Sequence, residues 1–181
     1  MTAMAPELPI SVDSETGVWT TDALPMLYVP RHFFINNHVA IEQALGVETY
    51  AKILYDAGYK SAWYWCEKEA ELHGIEGVAV FEHYMNRLSQ RGWGKFVTEE
   101  IDLDAGTAKI RLEHSCFVYQ LGKTGKREEY MFTGWFAGAM DQILEARGSD
   151  LRTIAEQTQS AAEEGCDVGR FTVVPRHTLA G

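Results

Sequence analysis

The chain has 181 residues. That suits one domain of ordinary size, with or without an extension, able to bury roughly 70% of its unfolded surface without a covalent staple. Apolar residues at 46% and charged residues at 23% are near globular averages and exclude disordered, collagenous and low-complexity classes. The net charge of −10, with no sustained basic stripe, excludes nucleic acid as a partner, and no apolar run approaches the ~20 residues of a membrane span.

The N-terminal stretch MTAMAPELPISVDSETG carries neither a basic n-region nor an apolar h-region, so no targeting signal is expected and the expected location is cytoplasmic. Residues 1–17 read as extended or frayed. Residues 18–35 hold two short apolar runs broken by Pro25 and Pro30, and proline removes a ladder donor, so they read as edge strands or irregular segments. Asn36-Asn37 is a stop signal and a candidate helix cap. From Val39 the apolar period becomes helical, predicting a short helix over 39–45 and a long one over 47–73 that Gly74 ends. A third helix is expected over 76–91, with Gly92 as its stop. Lys95–Leu103 and Thr107–Glu113 flank the turn Asp104-Ala105-Gly106 and form the most secure hairpin, and Cys116–Gln120 reads as a further strand. After a basic loop at Gly122–Arg127, a helix is expected over 128–147 and two strands over 152–159 and 170–175. The order predicts an α+β fold, an antiparallel sheet of four to five strands packed on a few long helices. Its divisions are an arm at 1–35, a single domain at 36–176 and a tail at 177–181.

Most motif-like features read as structure. Gly122-Lys123-Thr124 echoes a phosphate-binding loop, but Phe117 stands where the motif needs its first glycine, so a surface turn is expected. Gly134 and Gly138 sit four apart in a helix and favour close helix packing. No two of the six histidines have the spacing of a zinc helix, and there is no HExxH or CxxC. His114 and Cys116 read as structural. Cys66, Cys116 and Cys166 are odd in number and far apart, which argues for a reducing compartment.

What rises above background is the aromatic content, 12% of the chain. Tyr50, Tyr55, Tyr59, Trp63, Tyr64 and Trp65 fall on the long helix, Phe81 and Tyr84 on the next, and Tyr130, Phe132, Trp135 and Phe136 on the last. Such a set is either core or the wall of a pocket for a flat or apolar ligand. Met85, Met131 and Met140 would add adaptable walls.

Three segments resemble 4-vinyl-reductase-type domains: Leu45-Gly46-Val47-Glu48-Thr49-Tyr50 through Ile53–Ser61, Thr133-Gly134-Trp135-Phe136-Ala137-Gly138, and Ala161–Gly165 with Arg170-Phe171-Thr172-Val173. The resemblance covers roughly 40–175 of the numbering. It implies a fold related to haem-based nitric-oxide sensors and a vesicle-tethering subunit, and the binding of small, often hydrophobic molecules. In sensor members one Glu and three Cys hold a zinc, and those positions correspond here to Glu129, Thr158, Ala161 and Gly169. Only Glu129 can ligate and Cys166 is out of register, while a closed site needs about four ligands. No zinc, and no other cofactor, is therefore expected. The first 35 residues and the acidic long helix further resemble a stand-alone bacterial branch whose genes tend to lie beside those for methylated-amine (dimethylglycine-type) demethylation.

Three readings follow. The first is non-enzymatic binding of a small apolar or aromatic molecule between the long helix, the 128–147 helix and the sheet. Tyr55, Tyr59, Trp63, Phe81, Tyr84, Trp135 and Phe136 would be the walls, with His83 and Glu129 as polar anchors. The second is an interaction subunit docking its aromatic face and proline-containing arm onto a redox demethylase, and a homodimer suits either reading. The third is a reductase. Hydride chemistry needs a nicotinamide or flavin with a phosphate cradle, no GxGxxG follows a strand, and no catalytic residue is assigned.

Overall fold

The computed structural model describes residues 7–176. The first six residues of the expected arm and the 177–181 tail, with His177, lie outside the described residues. The elements run β1 (Ile10–Val12), β2 (Trp19–Thr21), β3 (Leu24–Met26), α1 (Arg31–Leu45), α2 (Val47–His73), α3 (Val78–Gln90), β4 (Lys95–Asp102), β5 (Thr107–Glu113), α4 (Cys116–Leu121), α5 (Phe132–Ala146), β6 (Thr153–Gln159) and β7 (Gly169–Pro175). The fold is α+β, with a small antiparallel sheet in the order β1-β2-β3 and a main antiparallel sheet in the order β4-β5-β7-β6.

Pro25 sits in β3, which among the described residues pairs only with β2, so its missing N–H costs no ladder bond. The β2–β3 turn is built on Asp22 and Ala23, both with positive φ, 52° and 62°. That pairing matches the twist of a two-residue hairpin, although neither residue is glycine.

Helix α1 begins at Arg31, five residues before the expected boundary of the arm. Pro30 caps it in an extended conformation, since proline's fixed φ suits a helix entry. Asn37 does not cap: its Nδ2 donates to Phe33 O within the helix at 2.7 Å. Gly46 separates α1 from α2, and Gly74 ends α2 in the left-handed region with its N–H on Ala70 O.

The expected hairpin forms, with Phe96 opposite Leu112 and Ile101 opposite Ala108. The expected strand at Cys116–Gln120 is instead α4. Strand β5 already has β4 on one side and β7 on the other, and His114 at φ 54° turns the chain out of the sheet. A two-residue period over so short a run could not distinguish the two outcomes.

Helix α5 is the centre of the molecule, with twelve of its fifteen residues buried. It packs between the main sheet and α2, while α3 covers β4. The core is aromatic-rich: Phe136 meets Phe171 edge to face at 5.0 Å, and Phe132 meets Phe96 likewise at 5.3 Å. No helix among the described residues is long and apolar enough to cross a membrane.

Candidate functional site

The nine residues expected to form one pocket fall into three settings. Tyr55, Tyr59, Trp63, Trp135, Phe136, Phe81 and Tyr84 belong to the packed helices. Phe81 and Phe136 are fully buried, Tyr84 nearly so, and Tyr55, Tyr59 and Trp135 pack partly buried against the same cluster. The Tyr59 hydroxyl donates to Asp141 Oδ2 at 2.7 Å, and Asp141 Oδ1 accepts from both the amide and the hydroxyl of Thr153. Tyr59 thus ties α2 to α5 and β6. Trp135 meets Phe132 at 5.1 Å and Trp93 at 5.2 Å, both edge to face. Six of these seven rings lie in or against the hydrophobic core, and Trp63 is half-buried outside it.

Glu129 lies elsewhere, just before α5. It is fully buried, and its Oε2 accepts from Gln157 Nε2 at 2.6 Å and Ser160 Oγ at 2.5 Å. Burial holds its carboxyl above the usual range, against the pull of those two bonds. Beside it, Lys123 Nζ donates to the carbonyls of Ala161, Glu163 and Cys166, and Gly125 N donates to Ala162 O. The turn that echoes a phosphate loop therefore spends its lysine on the loop before β7. Ammonium and carbonyls hold that loop, and of the three positions that correspond to the sensors' cysteines only Ala161 takes part.

His83, the other expected anchor, faces α2. Its Nε2 is 2.8 Å from Glu69 Oε2, and His73 Nε2 is 3.3 Å from the same oxygen. Asp22 of the β2–β3 turn joins them, with Oδ1 3.6 Å from His73 Nε2 and 3.0 Å from Arg87 Nη2. Glu69 is fully buried and the Asp22 side chain is 2% exposed. One oxygen of each, Glu69 Oε1 and Asp22 Oδ2, lacks a hydrogen-bond partner among the described residues. Burial pushes the Glu69 carboxyl up, and the Asp22 charge adds to that. Trp65 stacks on the His83 ring at 5.6 Å and fixes its plane. The sequence reading missed Asp22, Glu69 and His73. The one legible signal was Glu69-x-x-x-His73, an i, i+4 pair that a search for paired histidines passes over.

Two of the three thiols, the buried Cys66 and Cys116, offer no nucleophile. Burial raises Cys66 well above its usual value and Cys116 up to about 12, so both are protonated and inert.

A cleft of about 840 Å³ lies where the α2–α3 connection, the β4–β5 turn and the end of α5 meet. Ile75, Val78, Ile101, Leu103 and Ile143 supply apolar surface, and Glu76, Asp102, Asp104 and Arg147 the rim. Gln142 lines it too, 7% exposed, with Oε1 buried and unpartnered among the described residues. None of the nine expected residues lines this cleft.

A family model described as "Domain of unknown function (DUF5943)" matches residues 4–99. The chain belongs to that family. No curated protein matches it in sequence. Among solved structures it is similar to the phenol-responsive sensory domain of the transcription activator PoxR with phenol. That match has a TM-score of 0.75 and 12% identity, over 92% of this chain and 84% of that one. It is also similar to a trafficking protein particle complex subunit 3 from Naegleria fowleri covalently bound to palmitic acid, with a TM-score of 0.56 and 14% identity over 81% and 95%. A vinyl-4-reductase family protein from Methanocaldococcus jannaschii gives a TM-score of 0.53 and 16% identity over 84% and 85%. At these identities the likeness is one of fold. It bears out the α+β architecture and, at the level of fold, the resemblance to 4-vinyl-reductase-type domains.

Proposed function

We propose that the protein binds a small molecule without transforming it. The observation that carries this reading is the overlap, along 92% of the chain, with a sensory domain named for its response to phenol. The cleft at the α5 end is the seat this geometry favours, because Tyr55, Tyr59, Phe81, Tyr84, Trp135 and Phe136 are packed into or against the hydrophobic core. A volume of about 840 Å³ lies within the ~300–1,000 Å³ usual for small-molecule sites. Its lining asks for an apolar body bearing one hydrogen-bond donor, a phenolic hydroxyl or an amine. Gln142 Oε1 is an acceptor left without a donor, and satisfying it returns the cost of its burial. The rim is acidic, and Arg147 is engaged by Asp104 at 2.9 Å, so the site favours a neutral or cationic donor over an anion.

Calorimetric titration with phenol, cresols and small methylated amines tests the reading. Saturable binding by the wild type, weakened by roughly tenfold in Gln142→Leu, is expected from loss of one buried hydrogen bond. Silence across the whole panel would count against it.

A second reading, an interaction subunit, has its own observation. Leu27 is 87% and Tyr28 84% exposed, and Phe33 follows on α1 at 57%. Clustered exposed apolar side chains mark contact surfaces. Self-association is the simple form of this reading, and docking to a methylated-amine demethylase its finer form. Light scattering over a range of concentrations distinguishes them: a dimer that Tyr28→Ser dissociates supports self-association.

A further inference from the structure

We propose that Glu69, His73 and His83 bind one divalent transition-metal ion of the zinc class, with Asp22 at the edge of the site. Two imidazoles and one carboxylate are a donor set that suits zinc and its neighbours. The two Nε2 atoms converge on the same Glu69 oxygen from different helices, at 3.3 and 2.8 Å. One donor atom from each of the three residues lies within 4.8 Å of those of the other two. A tetrahedral ion with bonds of ~2.1 Å spaces its ligand atoms by roughly 3.4 Å. The Glu69–His73 edge already has that length, the Glu69–His83 edge at 2.8 Å must open by roughly 0.6 Å, and the edge between the two imidazoles is within 4.8 Å.

The second observation is the pair of buried carboxylate oxygens without partners, one on Glu69 and one on Asp22. Buried oxygens are seldom left orphaned, and a cation at Glu69 would supply its carboxylate with a partner. His83 is held in plane by Trp65, and the His73 ring lies 4.9 Å from it, so the donors are already oriented. Side-chain exposures of 34% for His73 and 19% for His83 leave a path by which an ion and a water ligand can enter. Arg87 holds Asp22, and Arg91 also feels both carboxylates, so the local charge is already balanced. That argues for moderate affinity, with Glu69 and the two imidazoles as the obligatory ligands. The proposal concerns the α2–α3 pair and is independent of the cleft.

Cobalt(II) is the probe. One equivalent per chain should give visible d–d absorption, with quenching or shift of Trp65 emission, and zinc(II) should displace it. His73→Ala and His83→Ala should each lose at least about tenfold in cobalt affinity, the scale on which even outer partners of a metal site act. Circular dichroism reports whether each variant is folded, and Glu69→Gln repeats the test with the side-chain shape kept. His32→Ala, on the exposed side of α1, should bind as the wild type does. No cobalt binding by the wild type, or an unchanged affinity in either folded histidine variant, overturns the proposal.

Discussion

The indole of Trp135 occupies the space that Gly58 leaves open on the facing helix. The relation repeats in reverse one turn along: a methyl on Gly134 or Gly138 would overlap the carbonyl of Tyr55 or Tyr59. Alanine is the better helix former by about 1 kcal/mol. Gly138→Ala should nevertheless lower stability by about 1–3 kcal/mol, because overpacking against rigid backbone outweighs the propensity gain. Urea unfolding measures this, and a stabilised variant would mean that the two helices are free to separate.

Glu129 gives a pH dependence whose sign is fixed. Burial raises its folded pKa above the ordinary carboxyl value of 4.5, so the folded chain keeps this proton to higher pH than the unfolded chain does. The stabilisation is complete below the unfolded value and is lost as pH rises through the folded one. Glu129→Gln, which stays neutral, should therefore gain on the wild type between about pH 5 and about pH 8. Denaturant midpoints at the two pH values make the comparison. A variant that instead loses ground at the higher pH would show that the ionised carboxylate is the stable form.

Lys123→Met should free the loop between β6 and β7. A hydrogen bond from a charged group is worth roughly 1.5–3 kcal/mol when buried, but this ammonium is partly exposed, so about 1 kcal/mol is expected. Hydrogen exchange should accelerate at Gly125 and through 160–168, with the α5 amides unaffected. Uniform protection across that loop in the variant would remove Lys123 from its role.

Ala23→Gly should raise stability by about 0.5–1 kcal/mol. Alanine at φ 62° suffers the steric cost of the left-handed region that glycine escapes, less glycine's larger loss of freedom on folding. Thermal unfolding is the measurement, and a fall in midpoint would mean that the Ala23 methyl makes a contact worth more than the strain.

The sequence was legible where a pattern was local and long. Lys95–Leu103 and Thr107–Glu113 alternate on either side of a glycine turn, and the 47–73 helix has a glycine at each end, so both were read correctly. Legibility failed where a distant partner decides. Glu128 and Glu129 look like the first turn of a helix, yet the Glu129 carboxylate is held from outside by Gln157 and Ser160 and α5 starts at Phe132. Asn36-Asn37 looks like a cap, but Pro30 had already started the helix.

The site was harder still. Aromatic clustering on three helices is visible, but whether such a set is wall or filling depends on inter-helix distance, which the close approach of α5 to α2 at Gly134 and Gly138 sets and no spacing in the sequence states. Asp22, Glu69 and His83 lie far apart in the chain and meet only because the β2–β3 turn folds over the α2–α3 pair. No spacing rule encodes that meeting.

The small sheet at the N-terminal end has a consequence for the order in which the molecule opens. Its first strand is exposed throughout, and its attachment is mostly polar: Asp22 meets Arg87 and His73, Gln90 reaches Glu7, and Leu24 adds apolar contact. A unit held by so little apolar surface is a separate cooperative element, released at a lower free energy than the helices beneath it. Transient undocking of that flap would carry Asp22 away from His73 and Arg87 and widen the approach to Glu69 while the rest of the chain stays folded, so residues 10–26 would set how freely that cluster meets solvent.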